Sequence, residues 1–321
     1  MYPFRNILVA IDSAEPQQPV LDRAVEYAAK HCSQLTVVDC VPEIRWAAKL
    51  VLSHGAEHLP ELLAREKSDR LKKLVTQIRR RGVKAKHRVL LGRASLEITR
   101  QVIRNKHDLV MKVAKGSHSR QSGFLGTTAQ GLLRNCPCTV YLLQRGHQGT
   151  FRHALAAVDA RPGDYDHAEL NNRILQTATG YCRDEAIPLE VVSASGIVGG
   201  AYLGNYALTD EYRGMLASTR AESQQTLSSL MATYPGVSPD RVHLLDGEAS
   251  IEVPTYVARN QVDLLVLGTV ARRGIAGFFL GNTAELILSK VACSVLAVKP
   301  AGFVSPVKSA PRKRTLPAAT T

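Results

Sequence analysis

The stretch DLVMKVAKGSHSRQSGFLGTTAQGLLRNCPCTVYLLQ, residues 108–144, recurs without a gap as DLLVLGTVARRGIAGFFLGNTAELILSKVACSVLAVK, residues 263–299. The two copies are related by a constant offset of 155 residues. A shorter offset of 147 relates the opening ILVAID at residues 7–12 to ALAAVD at residues 154–159. A repeat of about 150 residues has the size of a domain, so we interpret the chain as one domain duplicated.

Strand-like and helix-like segments alternate in each copy. In the first, short apolar runs at 6–12 and 35–41 alternate with segments whose apolar residues have helical spacing, at 18–32 and 57–81. The second copy repeats this order. Such alternation predicts parallel strands joined by right-handed helical crossovers. We therefore predict an α/β fold with two tandem, doubly wound, mostly parallel five-stranded sheets flanked by helices, in a Rossmann-like arrangement.

The predicted boundaries follow from the repeat. We expect a first domain at 1–147, a second at 148–301, and a disordered basic tail at 302–321, rich in Pro, Ala and Thr. The final strands, Thr139–Gln144 and Ser294–Lys299, are apolar and would otherwise be exposed sheet edges. We expect the domains to pair through these strands within one chain, and further association into a homodimer stays open.

Composition and cysteine usage indicate the compartment. The apolar start of the chain is too short and too soon interrupted for a signal peptide, and no apolar run approaches the ~18 residues of a membrane span. The six cysteines show no C-x-x-C spacing. Cys136-Pro-Cys138 favours small buried side chains over a redox or metal site. We expect a soluble cytoplasmic protein without a bound metal.

The net positive charge of the chain comes from the first copy. Residues 1–147 contain 25 Lys and Arg against 12 Asp and Glu, whereas residues 148–321 contain 16 of each kind. Much of the excess lies at 72–88, where arginines close a helix before Gly82 and favour its dipole. Because no aromatic residues are interleaved, nucleic-acid binding is not expected. A basic module that docks on an acidic partner or nucleic acid is the weaker alternative function.

The carboxyl edge of each predicted sheet carries the candidate ligand site, because ligands of such sheets bind beyond the carboxyl ends of the strands. A glycine where strand becomes loop lets the backbone approach a ligand, and a helix start offers free N–H groups to an anion. In the second copy these features predict a cradle for a di- or triphosphate, with a carboxylate orienting the rest of a nucleotide such as ATP or ADP. The candidate residues are Asp159, Gly268, Thr269, Ala271, Gly281, Asn282 and Thr283.

This pattern resembles the universal stress protein family, whose nucleotide-binding members carry G-x-x-G, nine residues, then G-S/T. The resemblance covers residues 4–300 as two tandem family domains. Both copies depart from it: Ala271 replaces the second glycine, Asn282 occupies the Ser/Thr position, and Val113 stands where the second copy has Gly268. The first-copy equivalents, which we expect to be degenerate, are Asp12, Gly116, Gly126 and Thr127.

Function is predicted from the resemblance and from what the chain lacks. No nucleophile has an evident activating base, so we predict a non-enzymatic protein. The family resemblance implies a cytoplasmic role in stress survival, including resistance to DNA-damaging agents. The alternative is an ATP- or ADP-binding switch, or a slow ATPase, centred on the second-copy loop.

Overall fold

The computed structural model describes residues 2–42, 59–116, 125–147, 149–161, 165–196, 210–269 and 280–309. The first half contains β1 (Asn6–Ala10), α1 (Pro19–His31), β2 (Gln34–Val41), α2 (Leu59–Arg80), β3 (Ala85–Leu91), α3 (Ala94–Asn105), β4 (Leu109–Val113), α4 (Thr127–Asn135) and β5 (Thr139–Leu143). The second half contains β6 (Ala154–Ala157), α5 (Tyr165–Glu185), β7 (Leu189–Ala194), α6 (Asp210–Met231), β8 (Val242–Leu245), α7 (Ala249–Arg259), β9 (Leu264–Gly268), α8 (Asn282–Lys290) and β10 (Ser294–Val298). This order confirms the predicted α/β fold.

The two halves share one sheet of ten strands, in the order β3-β2-β1-β4-β5-β10-β9-β6-β7-β8. Neighbours within each half are parallel. The central pair, β5 and β10, is antiparallel, with Leu296 opposite Tyr141 and Ala297 opposite Val140. The two final strands therefore pair within the chain, as their apolar sequences led us to expect.

Helices cover both faces of this sheet. Each face carries an apolar core that runs through both halves, with α1, α2, α5 and α6 on one side and α3, α4, α7 and α8 on the other. Helix α1 illustrates the pattern: Val20, Leu21, Ala24 and Ala28 lie on one stripe and are buried. It ends where Cys32 takes a left-handed conformation with φ of 54°. None of the helices in the described ranges has the length and apolar character that a membrane span requires.

In the ranges that the structure describes, aromatic residues concentrate where the halves meet, although they are only 5% of the chain. The rings of Tyr27 in α1 and Tyr181 in α5 are stacked, with centroids 6.2 Å apart and planes inclined by 14°. The ring centroid of Tyr141 in β5 lies 6.3 Å from that of Tyr181. The Tyr2 hydroxyl donates to Asp184 over 2.7 Å. Because Tyr27 and Tyr181 occupy equivalent positions, the junction has a local twofold character.

The outer edges of the sheet are β3 and β8. Strand β3 presents Lys86, which is exposed, and the half-buried Arg88 at this edge. Charged residues on an edge strand oppose pairing with another chain. Part of the basic excess of the first half therefore has a structural explanation.

His107, just before β4, is a buried histidine, only 4% exposed. Neither of its ring nitrogens has a hydrogen-bond partner among the described residues. Burial, reinforced by the charge of Lys86, lowers the pKa of this imidazole from 6.5 to about 4. The equivalent residue of the second half is the buried Val262. The position therefore suits an uncharged side chain.

His107 should make the fold sensitive to acid. The unfolded chain protonates this side chain below pH 6.5, whereas the folded protein does so only near pH 4, so stability falls as the pH drops through this window. We expect about 2 kcal/mol of the free energy of unfolding to be lost between pH 7 and pH 5 through His107. Urea denaturation of the parent and of His107→Val at both pH values measures it. Equal losses in the two proteins would contradict the assignment.

Candidate functional site

The carboxyl edges of β4 and β9 are built alike. The Gly126 N–H donates to the Ala114 carbonyl over 2.9 Å, and the Gly281 N–H donates to the Thr269 carbonyl over 2.9 Å. Each contact holds the start of a helix, α4 or α8, against the end of the strand before it. A helix start thus lies beside a strand end in both halves.

In the first half this edge opens into a cavity of about 1190 Å³. Its wall includes the four first-copy positions singled out from the sequence, which are Asp12, Gly116, Gly126 and Thr127. Thr127 is exposed and is the first residue of α4, so its backbone N–H has no partner within the helix. The structure therefore brings the first-copy residues together around an open space.

A polar cluster lies beside this cavity, at the ends of β1 and β2. Lys67 in α2 donates to both carboxylate oxygens of Asp39 over 2.8 Å and lies 3.5 Å from the Asp12 carboxylate. Asp39 also accepts from the Ser13 backbone N–H over 2.8 Å and from its hydroxyl over 2.6 Å. Lys67 was not among the residues predicted from the sequence, where its only signal is a polar residue in a long amphipathic helix.

Two further groups define the chemistry of this edge. Burial lowers the pKa of Lys112, an effect partly opposed by Cys40, Asp12 and Asp39. Burial, with the Asp39 charge, raises the pKa of Cys40 to about 12. Cys40 is therefore a protonated thiol at neutral pH and is not an activated nucleophile. Lys112 and Lys115 both line the cavity and supply positive charge there.

In the second half, the carboxylate predicted to orient a ligand is occupied by its own chain. The Arg161 Nε atom donates to Asp159 over 2.9 Å, and the His167 Nδ1 atom lies 3.1 Å from the same carboxylate. Burial opposes ionisation, but the hydrogen bonds from Arg161 and His167 outweigh it and lower the pKa of Asp159. Asn171 also binds the Asp159 backbone, accepting from its N–H over 2.9 Å.

The contact from His167 arises because α5 is longer than α1 at its beginning. The offset between the copies is 147 at Asp12 and Asp159 but 154 at Tyr27 and Tyr181. Seven additional residues thus lie between these points in the second half, and α5 has 21 residues against 13 in α1. The additional residues form the first turns of α5, which lie over the carboxyl edge of β6 and β9.

Gly268 is explained by this packing. A Cβ atom at Gly268 would lie 2.6 Å from Leu170 Cδ2 and 3.3 Å from Ile174 Cδ1, both in α5. The glycine therefore allows close approach of the helix to the sheet. In the first half the equivalent Val113 lines the cavity instead.

The other second-copy residues also lie at this edge. Thr269 is fully buried, and its backbone N–H donates to the Val298 carbonyl over 3.2 Å. Asn282 and Thr283 are exposed at the start of α8. Ala271 lies outside the described residues. The structure thus places these residues at one sheet edge, and they are Asp159, Gly268, Thr269, Gly281, Asn282 and Thr283. Gly268 packs against α5, and Thr269 is buried.

The packing explanation of Gly268 predicts a specific coupling. Gly268→Ala should lower the free energy of unfolding by about 1–3 kcal/mol, because the new methyl group meets Leu170. In the double variant Gly268→Ala with Leu170→Ala, the space left by the leucine accommodates the methyl group. Its loss of stability should be smaller than the sum of the two single losses. Denaturant unfolding of the four proteins measures the coupling, and simple additivity would contradict it.

The sequence matches the profile described as Universal stress protein family twice, at residues 3–144 and 151–299. Similar proteins include universal stress protein E of Photorhabdus laumondii, 23% identical over 317 residues, which cover 97% of this chain and 99% of the relative. Universal stress protein E of Escherichia coli K12 is 25% identical over 321 residues, which cover 96% and 98%. The similarity to these tandem-length relatives spans nearly the whole of each chain.

Solved structures show the same fold. A functionally unknown protein from Pseudomonas aeruginosa PAO1 superposes with a TM-score of 0.72 at 23% identity, covering 93% of each chain. A universal stress protein from Archaeoglobus fulgidus superposes with a TM-score of 0.61 at 17% identity, covering 93% of this chain and 99% of its own. With two profile matches that together span most of its length, the chain belongs to the universal stress protein family, as two tandem domains of that family.

Proposed function

We propose that this protein acts in the cytoplasm in stress survival, including resistance to DNA-damaging agents, and binds ATP or ADP at the carboxyl edge of its first domain. Family membership supports the stress-response role. The cavity of about 1190 Å³ beside Asp12, Gly126 and Thr127 carries the proposal for the first domain. Its volume lies somewhat above the roughly 300–1,000 Å³ of small-molecule sites, so the cavity is large enough for a nucleotide.

The chemistry of the cavity wall suits a polyphosphate. The start of α4 offers backbone N–H groups and the hydroxyls of Thr127 and Thr128 to an anion. Lys112 and Lys115, which also line the cavity, add positive charge. Asp12, at the end of β1, is positioned to accept a hydrogen bond from the sugar of a nucleotide.

The second domain is the weaker candidate for the same ligand. Its Asp159 already binds Arg161 and His167, and the first turns of α5 pack on Gly268. A nucleotide there would have to displace buried side chains. Asn282 and Thr283 are nevertheless exposed at the start of α8. Nucleotide binding in the second domain therefore stays a prediction from the sequence.

The stress role is tested in a strain from which the gene is deleted. We expect the deletion to reduce survival after starvation, peroxide or DNA damage, and expression of the intact chain to restore it. Survival equal to that of the parent under all three stresses would remove the support for this role.

The ligand proposal is tested by a charge placed at the helix start. Thr127→Glu adds a carboxylate to the first turn of α4, where it stabilises the helix dipole by about 0.3–1 kcal/mol. The same carboxylate repels a phosphate, so we expect the affinity for ATP and ADP to fall at least tenfold, equivalent to about 1.4 kcal/mol. Isothermal titration calorimetry measures the affinity, and thermal unfolding verifies the fold.

Asn282→Glu is the matched control, because it occupies the same first position in α8. Loss of binding in Thr127→Glu alone supports the first domain. Loss of binding in Asn282→Glu alone would place the site in the second domain. Full affinity in both variants would contradict nucleotide binding at either helix start. If expression of Thr127→Glu in the deletion strain restored survival, the stress role would not depend on ligand binding in the cavity.

A further inference from the structure

Lys299, directly after β10, is a lysine buried between the two halves. It is 1% exposed. Its ammonium group donates a hydrogen bond to the Leu133 carbonyl in the last turn of α4 and lies 4.5 Å from the centroid of the Phe303 ring. The carbonyl and the ring compensate part of the cost of burying the charge. Neither of them carries a negative charge.

The Lys299 ammonium binds the carbonyl of Leu133, three residues before Cys136, which brings its charge to the side of α4 that ends in two thiols. Among the described residues no carboxylate pairs with Lys299, whereas Cys136 and Cys138 both interact with its charge. Burial lowers the pKa of Lys299 to about 8, and the two cysteines oppose that fall. Because a buried charge favours an opposite charge nearby, the arrangement favours a thiolate at one of these sulfurs.

The two sulfurs are close to each other. The Sγ atoms of Cys136 and Cys138 are 3.5 Å apart, at the junction of α4 and β5. Burial opposes ionisation of Cys136, but its hydrogen bond with Cys138 and the charge of Lys299 lower its pKa. Burial and the neighbouring Cys136 raise the pKa of Cys138, so the pair loses its first proton more readily than its second.

The outer wall of this cluster is formed by the segment that follows β10. The Ser305 hydroxyl donates to the Asn135 carbonyl over 2.7 Å, and Phe303 lies against Lys299. Val304, between them, is 82% exposed. Cys136 is fully buried and Cys138 is half-buried, so Cys138 is the more exposed residue of the pair.

We propose that Cys136 and Cys138 form a peroxide-sensitive dithiol whose thiolate is stabilised by the Lys299 ammonium. The thiolate attacks one peroxide oxygen, so that an S–O bond forms, the O–O bond breaks, and hydroxide leaves and takes up a proton. The second sulfur then attacks the resulting sulfenic acid, forming the S–S bond and releasing the oxygen as water. Two thiols lose two electrons, and hydrogen peroxide is reduced to two waters.

The second copy provides a natural comparison. The positions equivalent to Cys136 and Cys138 are Val291 and Cys293, and the position equivalent to Lys299 is Gln144. The second half thus has neither the dithiol nor the cation at this place. The two thiols belong to the first half, and Lys299 reaches them from the end of β10 in the second half.

The test treats the reduced, full-length protein with limiting hydrogen peroxide, blocks free thiols, and digests it with trypsin without reduction. Both cysteines fall in the peptide 135–145, bounded by Arg134 and Arg145. We expect this peptide to become lighter by two hydrogen atoms and to resist alkylation. In Lys299→Gln the rate of disulfide formation in this peptide should fall about tenfold, because loss of the cation raises the pKa of the thiol. Lys299→Arg, which retains the charge, should restore it.

The controls separate this chemistry from unfolding. Cys136→Val, which copies the second half, should give no disulfide in this peptide. Alkylation of the exposed Cys32 reports on general reactivity and should be equal in the parent and in Lys299→Gln. Oxidation of Cys32 while peptide 135–145 stays reduced would overturn the proposal, as would an unchanged rate in Lys299→Gln.

Discussion

The antiparallel pairing of β5 with β10 is the constraint on which the rest of this structure depends. Both strands are fully buried, so each half alone would present an apolar edge to solvent. Their pairing turns two five-stranded sheets into one sheet of ten and makes both cores continuous across the chain. The stacked tyrosines on one face and the buried Lys299 on the other lie where they do because these two strands meet.

The duplication shows which contacts the fold requires and which it leaves free. After β1, the Ser13 N–H donates to Asp39 over 2.8 Å, and after β6 the equivalent Ala160 N–H donates to the Ser193 hydroxyl over 3.0 Å. The backbone contact is kept while the acceptor changes from a carboxylate to a hydroxyl. The carboxylate binds Lys67 in the first half, so an ion pair stands there where the second half has the neutral Ser193 hydroxyl.

The alternation of strands and helices followed from apolar periodicity, because burial of a sheet and of amphipathic helices leaves that pattern in the sequence. The pairing of the final strands followed from their apolar sequences, which would otherwise form exposed edges. The positions of the candidate residues at one edge followed from the rule that parallel strands end together. The role of Gly268 did not, because a glycine that admits Leu170 and one that admits a ligand have the same sequence signal. The start of α5 was also hidden, since seven additional residues after a strand do not reveal that they fold back over it. Lys67 reaches Asp39 from α2, 28 residues further along the chain, a contact that no local pattern encodes.

The covalent link between the halves has a consequence for how such a protein evolves. In a homodimer, every mutation appears in both subunits, so the two sites across the junction must remain identical. Here the partner is always present at the high effective concentration that a short linker provides, and dilution does not separate the pair. Each half can therefore accumulate its own substitutions while its neighbour preserves the shared sheet. One gene thus supports an asymmetric pair, with an open edge on one side and a self-filled edge on the other.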